Sequence, residues 1–483
     1  MSFTTLKFVL FFFIVAAAYY LLPKKCQKYL LLLASYAFYV MACKWTLALL
    51  LLADTAFSYV CALGSQREWL GKKKLWTALG VIGVLCILFL FKYFDAFCSS
   101  VLPAIGLAYD GIHLLLPMGI SFFSFAICAY LFDVQNGKLE AERSFVDYAN
   151  FVSFFPVLQS GPIGKPRDFL PQLKAPVYYS SENVRRGVLR FVWGAFKKMV
   201  VADTLLQVVN AAYADPTAVS GGAMLIAVLV YSLQLYFDFA AYSDMAIGVA
   251  GVLGLRVQEN FSAPYFSRNT RTFWKKWHMS LIGWFREYLY FPLGGSRKGS
   301  TRTKINVLIV FIVSGLWHGA AFTYIIWGLI NGMYQVVGML TEPARKRLRA
   351  KLHIREESPV LAVCQAVCLF LLLSAARIFF RSADMKQAIY VIKHILLILR
   401  YGFGMDSVRS LIPLRRLALM IVALIPCVIE DVRIAVKGER IPDGLLDNPW
   451  RYWAALFVLA LMIALFGVYG EGIDMRQFVY FQF

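Results

Sequence analysis

Two histidines stand in the same local setting. His278 follows Trp277 in Trp274-Lys275-Lys276-Trp277-His278-Met279-Ser280-Leu281, and His318 follows Trp317 in Ser314-Gly315-Leu316-Trp317-His318-Gly319-Ala320. Imidazole is the side chain best suited to take up and return a proton near neutral pH. His318 lies between apolar runs, where an ionisable group is costly and marks a functional position by default. Removed from water, an imidazole is held in its neutral, proton-accepting form. Such a base beside a hydroxyl contributes roughly 10²–10⁴ in rate. The plainer role is a ring hydrogen-bonded between helices. Gly315 and Gly319 favour the functional role, because they leave space around the ring for a ligand or for close backbone. His278, paired with this second Trp-His, is read as lining the same cavity. His113, His353 and His394 lie in loops or at span ends and have ordinary solvated or interfacial readings.

Other chemistries are missing from the sequence. It has no GxxxxGK[ST] phosphate loop, no GxSxG elbow and no HExxH. None of the nine cysteines forms a CxxC pair or lies close to a histidine, so no metal site or disulfide framework is suggested. The cysteines read as reduced, buried packing residues, with Cys364 and Cys368 on one helix face. Asp54, Asp238 and Asp244 fall inside apolar segments. In a transporter they would couple to ions, but internal pairing is the simpler reading. Gly248, Gly251 and Gly254 recur by threes, as on a helix-packing face.

The elements that must position these residues are set by composition. Of 483 residues, 60% are apolar and 16% charged, against about 25% charged in a soluble domain. The apolar residues fall in blocks of roughly 17–25, the length that crosses a hydrocarbon core. Spans are expected near residues 8–22, 29–42, 47–63, 75–91, 114–132, 188–206, 224–255, 305–317 and 320–340, with more following to residue 468. The run 145–156 is too short to cross and precedes Gly161-Pro162, so it reads as re-entrant or interfacial. Phe273, Trp274, Trp277, Leu281, Trp284 and Tyr288 predict one amphipathic aromatic helix over 269–290. A basic loop is expected at 345–351. The total is about 11–13 membrane-embedded helices in a single domain, 1–483. The formal charge of +21 lies between spans, as retention of Lys and Arg on the cytoplasmic side demands, and does not indicate nucleic acid.

Taken together, the motifs resemble those of the membrane-bound O-acyltransferase (MBOAT) family, in its bacterial branch. The resemblance runs through Leu116-Pro117-Met118-Gly119-Ile120-Ser121-Phe122-Phe123, Phe154-Phe155-Pro156 with Ser160-Gly161-Pro162-Ile163, and Lys197-Lys198 with Ala202-Asp203. It continues in Asp238-Phe239 with Tyr242-Ser243-Asp244, Asn260-Phe261 with Pro264-Tyr265, the two Trp-His motifs, and Tyr288-Leu289-Tyr290 with Pro292-Leu293-Gly294-Gly295. The alginate-acetylating type fits better than the teichoic acid D-alanylating type, on Tyr290-Phe291-Pro292-Leu293-Gly294-Gly295 and on the C-terminal Val479-Tyr480-Phe481-Gln482-Phe483. Two positions depart from the pattern: Glu287 where such proteins have Asp, and Asn331-Gly332 where His-Gly is common.

The resemblance implies an all-α, polytopic membrane fold, funnel-shaped with a central tunnel. Its core would be about residues 114–340, and further helices would fill about 359–470. It implies His318 as catalytic base and His278 as a supporting residue, with Trp317, Trp277, Asn331, Asp244 and Ser314 as candidates to line the substrate path. No bound cofactor is implied. The donor would be acetyl-coenzyme A or another cytosolic acyl thioester. The acceptor would be a hydroxyl of a cell-surface polysaccharide, or of an extracytoplasmic acetyltransferase or acyl-relay partner. The location would be the bacterial cytoplasmic membrane, in contact with lipid. D-alanyl transfer to teichoic acid is the nearest alternative, and a transporter or flippase is the rival outside enzymes.

Overall fold

Inside a bilayer a chain must satisfy its own backbone hydrogen bonds, and helices do so locally. The computed structural model describes residues 1–440 and 444–469; within them every regular element is helical. Residues 479–483, and residue 470 at the expected end of the last helices, lie outside that range. The first four helices, α1 (Leu6–Leu21), α2 (Gln27–Ala42), α3 (Trp45–Gln66) and α4 (Lys73–Lys92), run up and down beside one another. A short α5 (Phe94–Val101) leads to α6 (Ile120–Gln135), buried along nearly all its length. The 145–156 run forms α7 (Phe145–Ser153) and α8 (Phe155–Leu158), two short helices too brief to cross, and α9 (Pro166–Lys174) follows.

α10 (Ser181–Phe196) passes through a widened π turn, Lys197–Ala202, into α11 (Asp203–Ala214). The 32-residue α12 (Gly221–Val252) is about 48 Å long at 1.5 Å per residue. Its membrane-length segment is 78% buried, against 22% for α4 and 11% for the last helix, so α12 is the centre on which the others pack. The remaining helices are α13 (Thr270–Trp274), α14 (Met279–Phe285), α15 (Ser300–His318), α16 (Phe322–Lys351), α17 (Pro359–Arg381), α18 (Met385–Leu396), α19 (Ile398–Tyr401), α20 (Met405–Leu411), α21 (Leu414–Lys437) and α22 (Pro449–Phe466).

Among the described residues five helices are long and apolar enough to cross a membrane, α3, α4, α12, α17 and α22, and the bent pair α20–α21 makes six. The other blocks in the expected set of about 11–13 embedded helices are shorter, as in α1 and α6, or more charged, as in α10 and α16. Three details differ from the sequence expectation. The aromatic stretch 269–290 is not one helix, because His278 adopts a left-handed conformation (φ 44°) that separates α13 from α14. The basic 345–351 segment is not a loop but the last two turns of α16, carried on past Pro343. All nine cysteines are free, and Cys26, Cys86, Cys364 and Cys368 are exposed rather than packed. An apolar helix face in this chain meets lipid, so apolar character alone does not mean burial in protein.

Chain tracing defines two ends. The N-terminal amine bonds Met41 O at 3.3 Å, which sets residue 1 beside the α2–α3 turn. The end of α4 meets the end of α15, where Tyr93 donates to Leu316 O at 2.8 Å. The α1–α2 turn, the α3–α4 turn, the start of α15 and the close of α16 therefore share the opposite end. That second end carries Lys24, Lys25, Arg67, Lys72, Lys73, Arg297, Lys298 and the cations of 345–351. The first carries Lys7 and Lys44 with Asp95 and Asp110, and Arg381 beside Phe380, which packs on His318.

Helix α10 crosses α12 with the two backbones in contact. A Cβ on Gly248 would lie 2.6 Å from Gly187 O, and one on Gly187 would lie 2.6 Å from Gly248 O. Gly248 thus belongs to the packing face, whereas Gly254, at φ 74°, is a turn after α12. We predict that Gly248→Val destabilises the fold by about 1–3 kcal/mol through overpacking. Gly283→Ala, whose Cβ would meet nothing within 4 Å, should stay within about 0.5 kcal/mol. Unfolding of the detergent-solubilised protein measures both, and equal stabilities would overturn the close-contact reading.

Candidate active site around the two Trp-His motifs

The α15–α16 hairpin is built on glycine. A Cβ on Gly315 would collide with the Tyr324 carbonyl, and one on Gly328 with the Phe311 carbonyl. Gly315 is therefore filled by close backbone and leaves no ligand space, and Gly319 lies against the Tyr324 ring in the same way. This tight pairing fixes where α15 stops, and His318 is its last residue.

A helix ends with carbonyls that have no partner inside it. Two consecutive residues of α4 and its cap supply donors here. Tyr93 OH donates to Leu316 O at 2.8 Å, and Lys92 Nζ donates to Trp317 O. Lys92 also donates to Ser121 Oγ at 2.9 Å and lies 5.4 Å from the centre of the Trp317 ring. The buried His318 ring then sits among three edge-on aromatics, Trp317 at 5.0 Å, Trp327 at 5.1 Å and Phe380 at 5.0 Å between centroids.

His278 reaches the same place from another element. Asn260 holds the chain there: its carbonyl accepts from Met279 N at 2.9 Å and its Oδ1 accepts from Ser280 Oγ at 2.6 Å. Its Nδ2 donates to Ser243 on α12 at 3.1 Å. The left-handed backbone at His278 follows from this anchoring, and it turns the buried ring toward Phe239 (4.6 Å), Phe122 (6.4 Å) and Trp317 (6.1 Å). Trp317 is the wall that both histidines share.

The other expected site residues divide. Ser314 is buried one turn before His318 on α15. Asn331 is buried one turn beyond Trp327 and donates to the Trp327 carbonyl at 2.8 Å. Trp277 points elsewhere, into a cluster with Phe273 (5.4 Å) and Phe261 (5.2 Å) under the Arg377 guanidinium at 4.8 Å. Asp244 is engaged by cations. It pairs with Arg190 at 2.6 Å and Lys197 at 2.8 Å, in a network that runs from buried Glu430 through Arg440 to the half-exposed Glu259. Asp238 pairs with Lys198 at 2.6 Å. These two acids are structural ion pairs, whereas neither oxygen of buried Asp54 has a hydrogen-bond partner among the described residues. Lys92, Tyr93, Ser121 and Asn260 are absent from the sequence-derived site. Lys92 meets Trp317 across 225 positions of chain, and in sequence it reads as an ordinary charge at the end of a span.

Residues 138–381, which carry both Trp-His motifs, match the membrane-bound O-acyltransferase family. The chain belongs to that family. It is 40% identical over 326 residues to the probable alginate O-acetylase of Pseudomonas syringae pv. tomato, covering 65% of this chain and 62% of that one. It is 33% identical over 392 residues to the peptidoglycan O-acetyltransferase of Helicobacter pylori, covering 75% and 72%. To the teichoic acid D-alanyltransferase of Bacillus subtilis it is 30% identical over 227 residues, covering 45% and 57%. The chain thus spans somewhat under two thirds of the alginate relative's length. The match to the D-alanylating relative is shorter and weaker, in line with the motif comparison. The O-acyltransferase family segment opens at residue 138, after Lys92 and Ser121, so the clamp on Trp317 is supplied from outside it.

If Lys92 and Tyr93 hold the end of α15, removing Lys92 takes away the donor to Trp317 O, and removing Tyr93 leaves Leu316 O with the Gly319 N–H. Lys92→Met should cost about 1–3 kcal/mol and Tyr93→Phe about 0.5–1.5 kcal/mol. The double variant should lose less than the sum, since both hold one helix end. A double-mutant cycle on chemical unfolding tests this, and strict additivity would argue that the two contacts are independent.

Proposed function

We propose that the protein transfers an acyl group, acetyl in the first instance, from a cytosolic thioester to a hydroxyl on the far side of the membrane. The observation that carries this is His318: a buried imidazole at a clamped helix end, walled by three aromatics, sharing Trp317 with a second histidine. A thioester is already activated and an alcohol is not, so a base for the alcohol is the group the reaction needs. His318 takes the hydroxyl proton as the oxygen attacks the thioester carbonyl. The tetrahedral intermediate then collapses, the C–S bond breaks, and the thiolate leaves with that proton. The products are an ester and a free thiol, with His318 again neutral. His278 supports this step across Trp317. Ser314 and Asn331, one turn away on either side of the hairpin, line its approach, and Asp244 serves as a structural anchor.

Sidedness follows from charge. Lys and Arg are retained on the cytoplasmic side, which makes the basic end, with the α1–α2 and α3–α4 turns and the close of α16, cytoplasmic. The clamped end of α15 then lies nearer the outer face. A donor from the cytosol and an acceptor from outside would approach His318 from opposite directions. The similarity to a probable alginate O-acetylase and to a peptidoglycan O-acetyltransferase favours a cell-envelope polysaccharide as final acceptor, reached directly or through the serine of an extracytoplasmic acetyltransferase partner. The location is the bacterial cytoplasmic membrane. D-alanyl transfer is the second reading, supported by the teichoic acid relative. A transporter without chemistry is disfavoured, because Asp238 and Asp244 are each neutralised by buried cations.

The test measures base-labile acetyl on envelope polysaccharide in cells lacking the protein and then restored with matched membrane levels of each variant. Wild type should restore acetyl. His318→Ala should lower it by roughly 10²–10⁴-fold, the range of a general base, and His278→Ala by less. Full activity in His318→Ala would end the catalytic assignment. Ester-linked D-alanine in place of acetyl would select the second reading.

A further inference from the structure

Beside the α1–α2 turn lies a cavity of about 580 Å³, within the range of ligand pockets, roughly 300–1,000 Å³. Its walls come from the close of α1, the start of α2, the close of α9 and the segment after α9. Gln27 fastens these walls together. Its buried amide donates to Tyr19 O and Val177 O, both at 3.0 Å, and its Oε1 accepts from Val177 N at 3.3 Å. Asn150 on α7 donates to Lys28 O at 2.8 Å, which fixes the first turn of α2. The cavity is therefore framed by segments that are bonded to one another.

Four cations line it, Lys24, Lys25, Lys28 and Lys174, with one carboxylate, Asp147. Lys28 engages Asp147 at 3.2 Å, and Lys174 engages Glu142 at 2.5 Å. Lys24 and Lys25 are paired with no carboxylate among the described residues, and Lys24 Nζ lies 5.1 Å from the centre of the Tyr178 ring. Two such neighbouring charges repel unless an anion lies between them. The setting names the class of that anion. The cavity is at the basic end, read above as cytoplasmic. Tyr29 on its wall and Tyr178 against Lys24 are exposed, and tyrosines collect at the level of lipid headgroups. Leu21 at the close of α1 and Leu33 on α2 are exposed as well, on apolar faces that meet lipid chains. Basic pockets between membrane helices on the cytoplasmic side hold acidic lipid heads.

We propose that this cavity binds one anionic phospholipid, its phosphodiester held by Lys24 and Lys25 and its acyl chains laid along the exposed faces of α1 and α2. A lipid held there ties the α1–α2 turn to the segment that leads from α9 into α10. This is a single site with named ligands, distinct from general contact with the bilayer and independent of the chemistry at His318. A free phosphate ion offers the same oxygen chemistry, so the test must separate the two sources.

The full chain is purified in lipid-free detergent, phosphatidylglycerol or zwitterionic phosphatidylcholine is added, and bound lipids are counted by native mass spectrometry. One phosphatidylglycerol should bind in clear preference to phosphatidylcholine. Lys25→Gln should weaken that binding by roughly fivefold and K24Q/K25Q by roughly thirtyfold, with unfolding in lipid-free detergent as in wild type. K24R/K25R should retain most of the affinity. K72Q/K74Q, which removes two exposed lysines of the same end that lie outside the cavity, should bind as wild type does. Equal binding of the two lipids by wild type overturns the proposal. An equal loss in K72Q/K74Q does so too, since it would show diffuse attraction to the basic end. Displacement of the lipid by inorganic phosphate would assign the cavity to a soluble anion and also overturn it. Binding is read without turnover, so the result stands apart from the acyl-transfer reading.

Discussion

The structure depends on one constraint: within the bilayer a polar group must find its partner inside the chain, because water is absent. The clearest instance is the end of α15, where the Leu316 carbonyl accepts from the capping Gly319 N–H at 3.1 Å and the Trp317 carbonyl lies beyond the helix's own donors. Tyr93 and Lys92 supply the donors, and Ser121 holds the lysine in turn. The position of His318 is a consequence of that arrangement, since the histidine is the residue immediately after the clamped carbonyl. The glycine contacts of the α15–α16 hairpin set where the helix stops, and the cost of an unpaired carbonyl favours the donors that meet its end.

The same constraint accounts for the buried charges. Asp244, Glu259 and Glu430 face Arg190, Lys197 and Arg440, three anions to three cations, contributed by α10, the π turn, α12, the loop after α12, α21 and its following loop. Such networks add little net stability, because desolvation offsets the attraction, but loss of one partner leaves an uncompensated charge. Their effect is on arrangement. Helices that are otherwise greasy on every side acquire one register in which the charges meet. The π turn at Lys197–Ala202 fits this role: it widens the helix where Lys197 must reach Asp244 and Lys198 must reach Asp238.

What could be read from the sequence follows the same division. Helical class, the membrane setting, the positions of most helices and the approach of the two histidines to one place were legible, because block length and local motifs carry them. The break at His278 was not: the aromatic spacing over 269–290 is helical, and the left-handed turn is imposed by Asn260, which meets Met279 and Ser280 from a separate segment. Trp277 shares a motif with His278 yet points to Arg377, because that turn sends the two side chains in different directions. Asp244 is expected on the substrate path from the family resemblance, while its partners lie on α10 and in the π turn. Lys92 illustrates the limit most simply. A lysine at the end of a span is ordinary in sequence, and only tertiary pairing across 225 residues makes it part of the site.

The two departures from the family pattern have different physical weight. Glu287 bonds Lys138 at 3.0 Å and also Arg167, which reaches Asp133 at 2.9 Å. Its carboxylate joins the close of α6, α9 and the segment after α14, so in this chain the position serves as an ion-pair link between elements. Asn331 stands closer to the chemistry. A histidine there could have added a third imidazole one turn from the Trp327 ring, whereas the amide spends its donor on the Trp327 carbonyl of its own helix. Asn331 neither gains nor loses a proton near neutral pH. The groups on this wall able to exchange a proton near neutral pH are the imidazoles of His318 and His278, and the aromatic residues around them give the wall its shape.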